Sequence, residues 1–184
     1  RWLVRLGLPS VVGAAFGAWL LLVTPSPTFA RLVPFLILGA TLLLAAQEPI
    51  KRLLDRFHDG GEPTPSWWAG AMLFQLGVGI YGGYFGAGIG IMMLAALSLM
   101  RVTDIYRMNG LKNFFALLIN AVAMTYFAWS GAVLWTDALV MAAGAISGGY
   151  GGAGLARRAG PKAVRLAAVI VGVVMAVSLL LRGR

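Results

Sequence analysis

The residues that could do chemistry lie in two places. The first is GVGIYGGYFGAGIG at 77–90, with glycines at 77, 79, 82, 83, 86, 88 and 90, two tyrosines, Tyr81 and Tyr84, and Gln75 just before it. Seven glycines in fourteen residues predict a helix interrupted near Gly82–Gly83, because each glycine costs about 1 kcal/mol against alanine in a helix. A helix that restarts near Tyr84 would aim its N-terminal N–H groups and positive dipole end at whatever lies ahead, which is the chemistry of an anion site. A packing role is equally open, since Gly82, Gly86 and Gly90 form a small-xxx-small face. The second place is Asn109, Lys112, Asn113 and Asn120, where the three asparagines, spaced i, i+4, i+11, share one helix face. Amides inside a membrane helix demand a partner or water. Lys112 either adds positive potential to a solute path or snorkels to the interface.

These residues sit in a chain too apolar for a soluble domain. Of 184 residues, 60% are hydrophobic and only 11% charged, against roughly 25% charged in soluble domains. A soluble enzyme, a disordered chain and a nucleic-acid-binding module are excluded. The net charge of +9 does not restore the last, because the basic residues flank apolar runs. With no cysteine and one histidine, His58, in a charged stretch, neither thiol chemistry nor a helical HExxH-type metal site is available. No paired carboxylates, no Walker loop and no acidic residue between Trp67 and Met100 or between Asn113 and Asp137 are found. That removes acid–base catalysis, ATP use and a carboxylate proton relay through these segments. No cofactor is expected.

Five segments approach the roughly 20 apolar residues of a spanning helix: Leu6–Val23, Phe29–Ala46, Leu111–Trp129, Ala138–Leu155 and Ala163–Leu181. Glu48–Ser66 reads as a solvated loop. Trp67–Met100 carries no charge. At 34 residues it is too long for one crossing of a 30 Å core and too short for two. Basic residues decide how it runs. If it crosses once, the Lys and Arg residues divide 7 to 8; if it dips in and returns, they divide 12 to 3. The positive-inside rule favours the return, with two half-helices of about 15 residues meeting in mid-membrane and the basic loops cytoplasmic. A long, tilted single span is the alternative.

A weak repeat points the same way. Gly144-Ala145 and Gly148 follow Gly13-Ala14 and Gly17 by 131 positions; Arg165-Leu166 follows Arg31-Leu32 by 134. With a returning 67–100 segment, the paired helices run in opposite directions, the architecture of many secondary transporters. The expected division is therefore 1–50 as the end of a first repeat, 51–66 as a cytoplasmic loop and 67–184 as the second repeat. The first repeat lacks its glycine-rich segment, so a longer natural protein is expected. SGGYGGAG at 147–154 predicts close packing against a neighbouring helix. Trp2, Trp67, Trp68, Trp129 and Trp135 fall at segment ends and fit an interfacial belt.

GIYGGYFGAGIGIMMLAALSL (79–99), LKNFFALLINAVAMTYFAWSGAVLW (111–135) and GAISGGYGGAGLARR (144–158) resemble the TauE/SafE sulfite exporter family. Gly88-Ile89-Gly90 stands where a GGG run is common in that family. The resemblance implies a bacterial inner-membrane transporter of sulfite, sulfonates or related small anions, driven by an ion gradient. The fold expected is an all-α polytopic transmembrane helix bundle with broken or re-entrant glycine-rich helices and two inverted repeats. The candidate substrate-binding residues are Tyr81, Gly82, Gly83, Tyr84, Gly86, Gly88, Lys112, Asn113 and Asn120. The partners are the lipid bilayer and a small anionic solute, with a homo-oligomer left open. A non-transporting membrane subunit or sensor that binds a partner helix is the alternative; an enzyme acting on lipid lacks a visible nucleophile, base or metal cluster.

Overall fold

The computed structural model describes residues 2–46, 49, 65–99 and 105–182. The loop expected at Glu48–Ser66, His58 with it, lies outside the described residues except for Pro49 and its last two. Pro65 and Ser66 already open a helix, with proline in the first turn where its missing N–H does no harm. All described elements are helices: α1 (Trp2–Val23), α2 (Ser26–Ala45), α3 (Pro65–Tyr84), α4 (Ile89–Leu99), α5 (Ile105–Trp129), α6 (Trp135–Ala159) and α7 (Pro161–Arg182).

Four of them are long and apolar enough to cross a membrane: α1 from Arg5, α2, α5 from Tyr106, and α7 from Lys162 to Leu181. The expected Ala138–Leu155 span is not among them. It forms the middle of the 25-residue α6.

α1 and α3 lie side by side and run in the same direction. Their contacts climb both helices together: Arg5 over the Trp68 ring at 5.0 Å, Ser10 with Gln75, and Thr24 with Tyr84. Glycines set the closeness of the pair. A Cβ on Gly13 would fall 2.9 Å from Ile80 N, one on Gly17 2.9 Å from Tyr84 N, and one on Gly83 2.9 Å from Ala14 Cα. Backbone meets backbone, which only glycine allows.

The interruption expected near Gly82–Gly83 falls a few residues later. α3 continues through both glycines to Tyr84, and α4 starts at Ile89. Gly82 and Gly83 stay helical because α3 there is pressed against α1 and α5. Added Cβ atoms would strike Ala14 on one side and Ile119, at 2.8 Å, on the other. The turn is made instead at Gly86 and Gly88, both with φ of 77°, a region closed to most side chains. The two pieces have 20 and 11 residues, not equal halves.

α4 then runs back along α3. Gln75 Nε2 donates to Ser10 Oγ at 2.7 Å and lies 3.4 Å from Met93 Sδ. The core lies where these helices meet α5: Leu6, Ala14, Val78, Ile89, Met93, Leu97, Met108, Phe115 and Ile119 are buried together. α2 packs mainly on α7, with Thr41 against Gly172.

α6 departs from expectation. Its glycines were expected to pack closely on a neighbour. Added Cβ atoms at Gly144, Gly148, Gly149, Gly151, Gly152 and Gly154 would find no atom within 4 Å.

Candidate functional site

The turn between α3 and α4 is the centre of the site. Its depth is set by α1. Gly83 and Tyr84 lie level with Ala14 and Gly17. α1 continues to Val23, about 9 Å further along its axis. The turn therefore stops short of the far end of the bundle. Tyr84 spans the remaining gap, with its hydroxyl 3.5 Å from Thr24 Oγ1 and its ring edge-on to Phe29 at 6.0 Å. Tyr81 closes the turn from below by donating its hydroxyl hydrogen to the Ala87 carbonyl at 2.7 Å.

Two cavities flank this turn. One, of about 350 Å³, is lined by Gly82, Gly83, Tyr84 and Gly86 from the turn, Leu21 from α1, and Asn120, Met124 and Phe127 from α5. The other, of about 460 Å³, is lined by Gly88 and Gly90, by Ala40 and Thr41 of α2, and by Lys112 of α5. The start of α4 faces this second cavity. The first turn of a helix leaves N–H groups without intrahelical carbonyls, and the dipole makes that end positive. Ile89 N–H reaches the Gly86 carbonyl at 3.4 Å, and Ile91 and Met92 N–H reach the Gly88 carbonyl at 3.0 and 3.4 Å, which leaves the Gly90 N–H outside these bonds. Lys112 stands beside the same turn, its Cδ 3.8 Å from where a Cβ of Gly90 would be. A helix dipole end, the Lys112 side chain and the Thr41 side chain thus border one space. That combination suits a small anion.

The structure divides the residues singled out from the sequence. Gly82, Gly83, Tyr84, Gly86 and Asn120 border the first cavity; Gly88 and Lys112 border the second. Tyr81 holds the turn between them. Asn113 borders neither and is exposed on α5, as is Asn109. Asn120 turns its amide N–H back to the Ala116 carbonyl at 2.8 Å, leaving its own carbonyl for other uses. Gln75, grouped with the glycine segment by sequence, is a buried structural tie instead.

Sequence reading missed the α2 wall. Thr41 is 7% exposed and donates to the Ile37 carbonyl at 2.7 Å. A lone hydroxyl in the apolar run 32–45 was the available signal. A larger concavity, about 670 Å³, runs along Ala121–Ser130. It is lined by α5 and the residue after it and lies away from the turn. Among the described residues no group of three or more His, Cys, Asp or Glu side chains could hold a metal.

The profile of the sulfite exporter TauE/SafE family matches residues 1–179. The chain belongs to the TauE/SafE family. Within the curated proteins it is 27% identical over 175 residues to the probable membrane transporter protein ORF9 of a Sinorhizobium species. That match takes in 95% of this chain but only 65% of the relative. No solved structure matches significantly. Membership in the TauE/SafE family and four apolar helices make this a multi-pass membrane protein. The glycine segment that first suggested the family is the segment that forms the turn.

Proposed function

We propose that this chain is the larger part of a secondary transporter that moves small anions, with sulfite, sulfonates or related sulfur oxyanions as the substrate class. The observation that carries the proposal is the start of α4. The positive end of the α4 dipole and the Gly90 backbone lie beside a cavity, and Lys112 borders the same cavity. Non-helical backbone at membrane depth is tolerated only where it is buried in protein or lines a wet space. The family match and the name of the Sinorhizobium relative support transport.

On this reading α3 and α4 form a re-entrant hairpin that enters and leaves on the basic side. Gln75 beside Met93 supports it, as does the 12 to 3 division of basic residues. Residues 67–184 form the second of two inverted repeats and 1–50 the end of the first, with 51–66 as a cytoplasmic loop between them. The protein resides in the inner cell membrane. The anion sits at Gly88–Gly90 with Lys112 and Thr41. Asn120 and the Gly82–Gly86 backbone line its route on the opposite side of the turn. Alternating access needs only that the turn shift between the two cavities. An ion gradient supplies the driving force.

The test is flux into proteoliposomes holding the full-length protein. Sulfite, thiosulfate, a small sulfonate and a carboxylate control are offered with and without a proton gradient. Selective, gradient-sensitive flux of a sulfur oxyanion is expected. Carboxylate flux alone removes the sulfur assignment. No flux from folded protein removes the transporter reading.

A further inference from the structure

Tyr81 and Tyr84 stand three residues apart at the end of α3, and the structure gives them opposite jobs. Tyr81 works inside the turn. Its hydroxyl donates to the Ala87 carbonyl at 2.7 Å. Its own carbonyl accepts from Phe85 N–H at 2.9 Å and from Gly86 N–H at 3.1 Å, and its ring meets Phe85 edge-on at 6.2 Å. Residues 81–87 are fastened to one another. Tyr84 works outward. Its hydroxyl reaches Thr24 Oγ1 at 3.5 Å, and its ring meets Phe29. Thr24 and Pro25 are the two residues between α1 and α2, and Phe29 lies near the start of α2.

The outward tie has one polarity. Thr24 gives its own hydroxyl hydrogen to the Leu20 carbonyl at 2.6 Å. Its oxygen is left to accept, so Tyr84 donates. At 3.5 Å that bond is longer than the usual O–H···O range of about 2.5–3.0 Å, whereas the Tyr81 bond falls inside it. Elsewhere the turn rests lightly on α2. A Cβ on Gly88 would sit 3.5 Å from Ala40 Cβ, so no side chain interlocks there, and α2 itself packs mainly on α7. A turn that is firm within and loosely tied without moves as a unit, and its outward tie decides when.

We propose that Tyr84 is the latch of the turn. Bonded to Thr24 and edge-on to Phe29, it holds the turn against the α1–α2 corner. Released, it frees the turn to shift between the two cavities that flank it. Tyr84 is a positioning residue that acts through the turn, not a ligand of the anion. The proposal rests on the transport reading given under Proposed function, in which the shift of the turn is the transport step.

The experiment reads the latch without reading flux. Thr28→Cys on α2 and Ala87→Cys on the turn, both exposed, carry spin labels in the full-length protein, with any other cysteine replaced by serine. Their separation is measured by electron paramagnetic resonance in proteoliposomes. A main separation and a minor, longer one are expected. Tyr84→Phe keeps the ring and loses the bond, and is expected to raise the ratio of longer to shorter about threefold, the effect of one weak hydrogen bond. Tyr84→Ala raises it further. Thr24→Val removes the same bond from its other end, so it matches Tyr84→Phe, and the double variant goes no further. Ratios that stay fixed in Tyr84→Phe and Tyr84→Ala overturn the proposal, as do effects of Tyr84→Phe and Thr24→Val that add.

Sulfite flux is then read in unlabelled protein. Tyr84→Phe is expected to raise the maximal rate about threefold, because the turn leaves Thr24 before it shifts, with KM and Tm unchanged. A raised KM at an unchanged rate would make Tyr84 an anion ligand and overturn the latch. A rate that falls together with Tm would make it a structural tie and overturn it as well. If the separations respond and no variant moves any anion, the latch stands and the transport reading fails. If anions move and the separations do not respond, the latch alone fails.

Discussion

Gln75 and Met93 touch, 3.4 Å from Nε2 to Sδ, although 18 residues separate them. Along one continuous helix they would be about 27 Å apart. Their contact means that α4 doubles back on α3. The chain has no cysteine, so the pair Gln75→Cys with Met93→Cys can be read without background. Oxidation is expected to link the two within one chain. A straight helix through this region gives no intramolecular link.

The same amide also donates to Ser10 Oγ at 2.7 Å. Ser10→Ala removes an acceptor and leaves a buried donor with only the weak thioether. A loss of about 1–3 kcal/mol of stability follows, seen as a lower unfolding temperature in detergent. Gln75→Leu removes donor and demand together, so it is expected to cost less than Ser10→Ala. The reverse order would mean that the Ser10–Gln75 bond is not the tie between α1 and α3.

Gly13 and Gly17 face backbone, not flexible side chains. Leucine at either position must push α3 away from α1. Overpacking typically costs about 1–3 kcal/mol, and rigid backbone neighbours put these sites at the upper end. Gly77→Leu is the control, because a Cβ there meets nothing within 4 Å. Thermal melts of the three variants, with only the control unchanged, are the expected pattern.

At Gly86 and Gly88 the constraint is conformational. Both have φ of 77°, where a side chain costs about 1–2 kcal/mol. Gly86→Ala and Gly88→Ala are expected to reduce anion flux more than they reduce the amount of folded protein, since the strain falls on the turn that positions α4. Equal losses of flux and folding would assign these glycines to the fold alone.

Much of this arrangement was legible in the sequence. Glycine density marked an interruption of the segment, because the cost of glycine in a helix is local to the segment itself. The exact place of the turn was not legible. Gly82 and Gly83 look as breakable as Gly86 and Gly88 until α1 and α5 are present to hold them helical. The α2 wall with Thr41 was hidden for the same reason: it comes from another helix. Lys112 and Asn113 are neighbours in sequence, yet of the two only Lys112 borders the cavity at the start of α4, because adjacent helix positions point about 100° apart.

Lys112 brings a full charge to the cavity at the start of α4. Across roughly 10 Å at an effective dielectric near 20, that charge is worth about 1.7 kcal/mol to a monovalent anion. Lys112→Gln is expected to raise KM for the transported anion about tenfold with little change in maximal rate, and Lys112→Arg to retain most of the affinity. Added salt should weaken the wild-type protein more than the glutamine variant. A maximal rate that falls while KM holds would place Lys112 in the moving parts and not in the binding site.

Asn120 and Asn113 provide the sharpest internal contrast. They share the i, i+7 spacing of one face, and sequence treats them alike. Asn120 borders the cavity with Gly82, Gly83 and Gly86; Asn113 is exposed and borders none of the cavities at the turn. Asn120→Ala removes the side-chain carbonyl and amide from that wall, while the Ala116 carbonyl it caps keeps its place in the helix ladder. Stability should therefore change little at either position. Flux is expected to fall several-fold for Asn120→Ala and to stay unchanged for Asn113→Ala, measured in the same proteoliposomes. Loss at Asn113 alone would move the solute path to the outer face of α5, away from the turn.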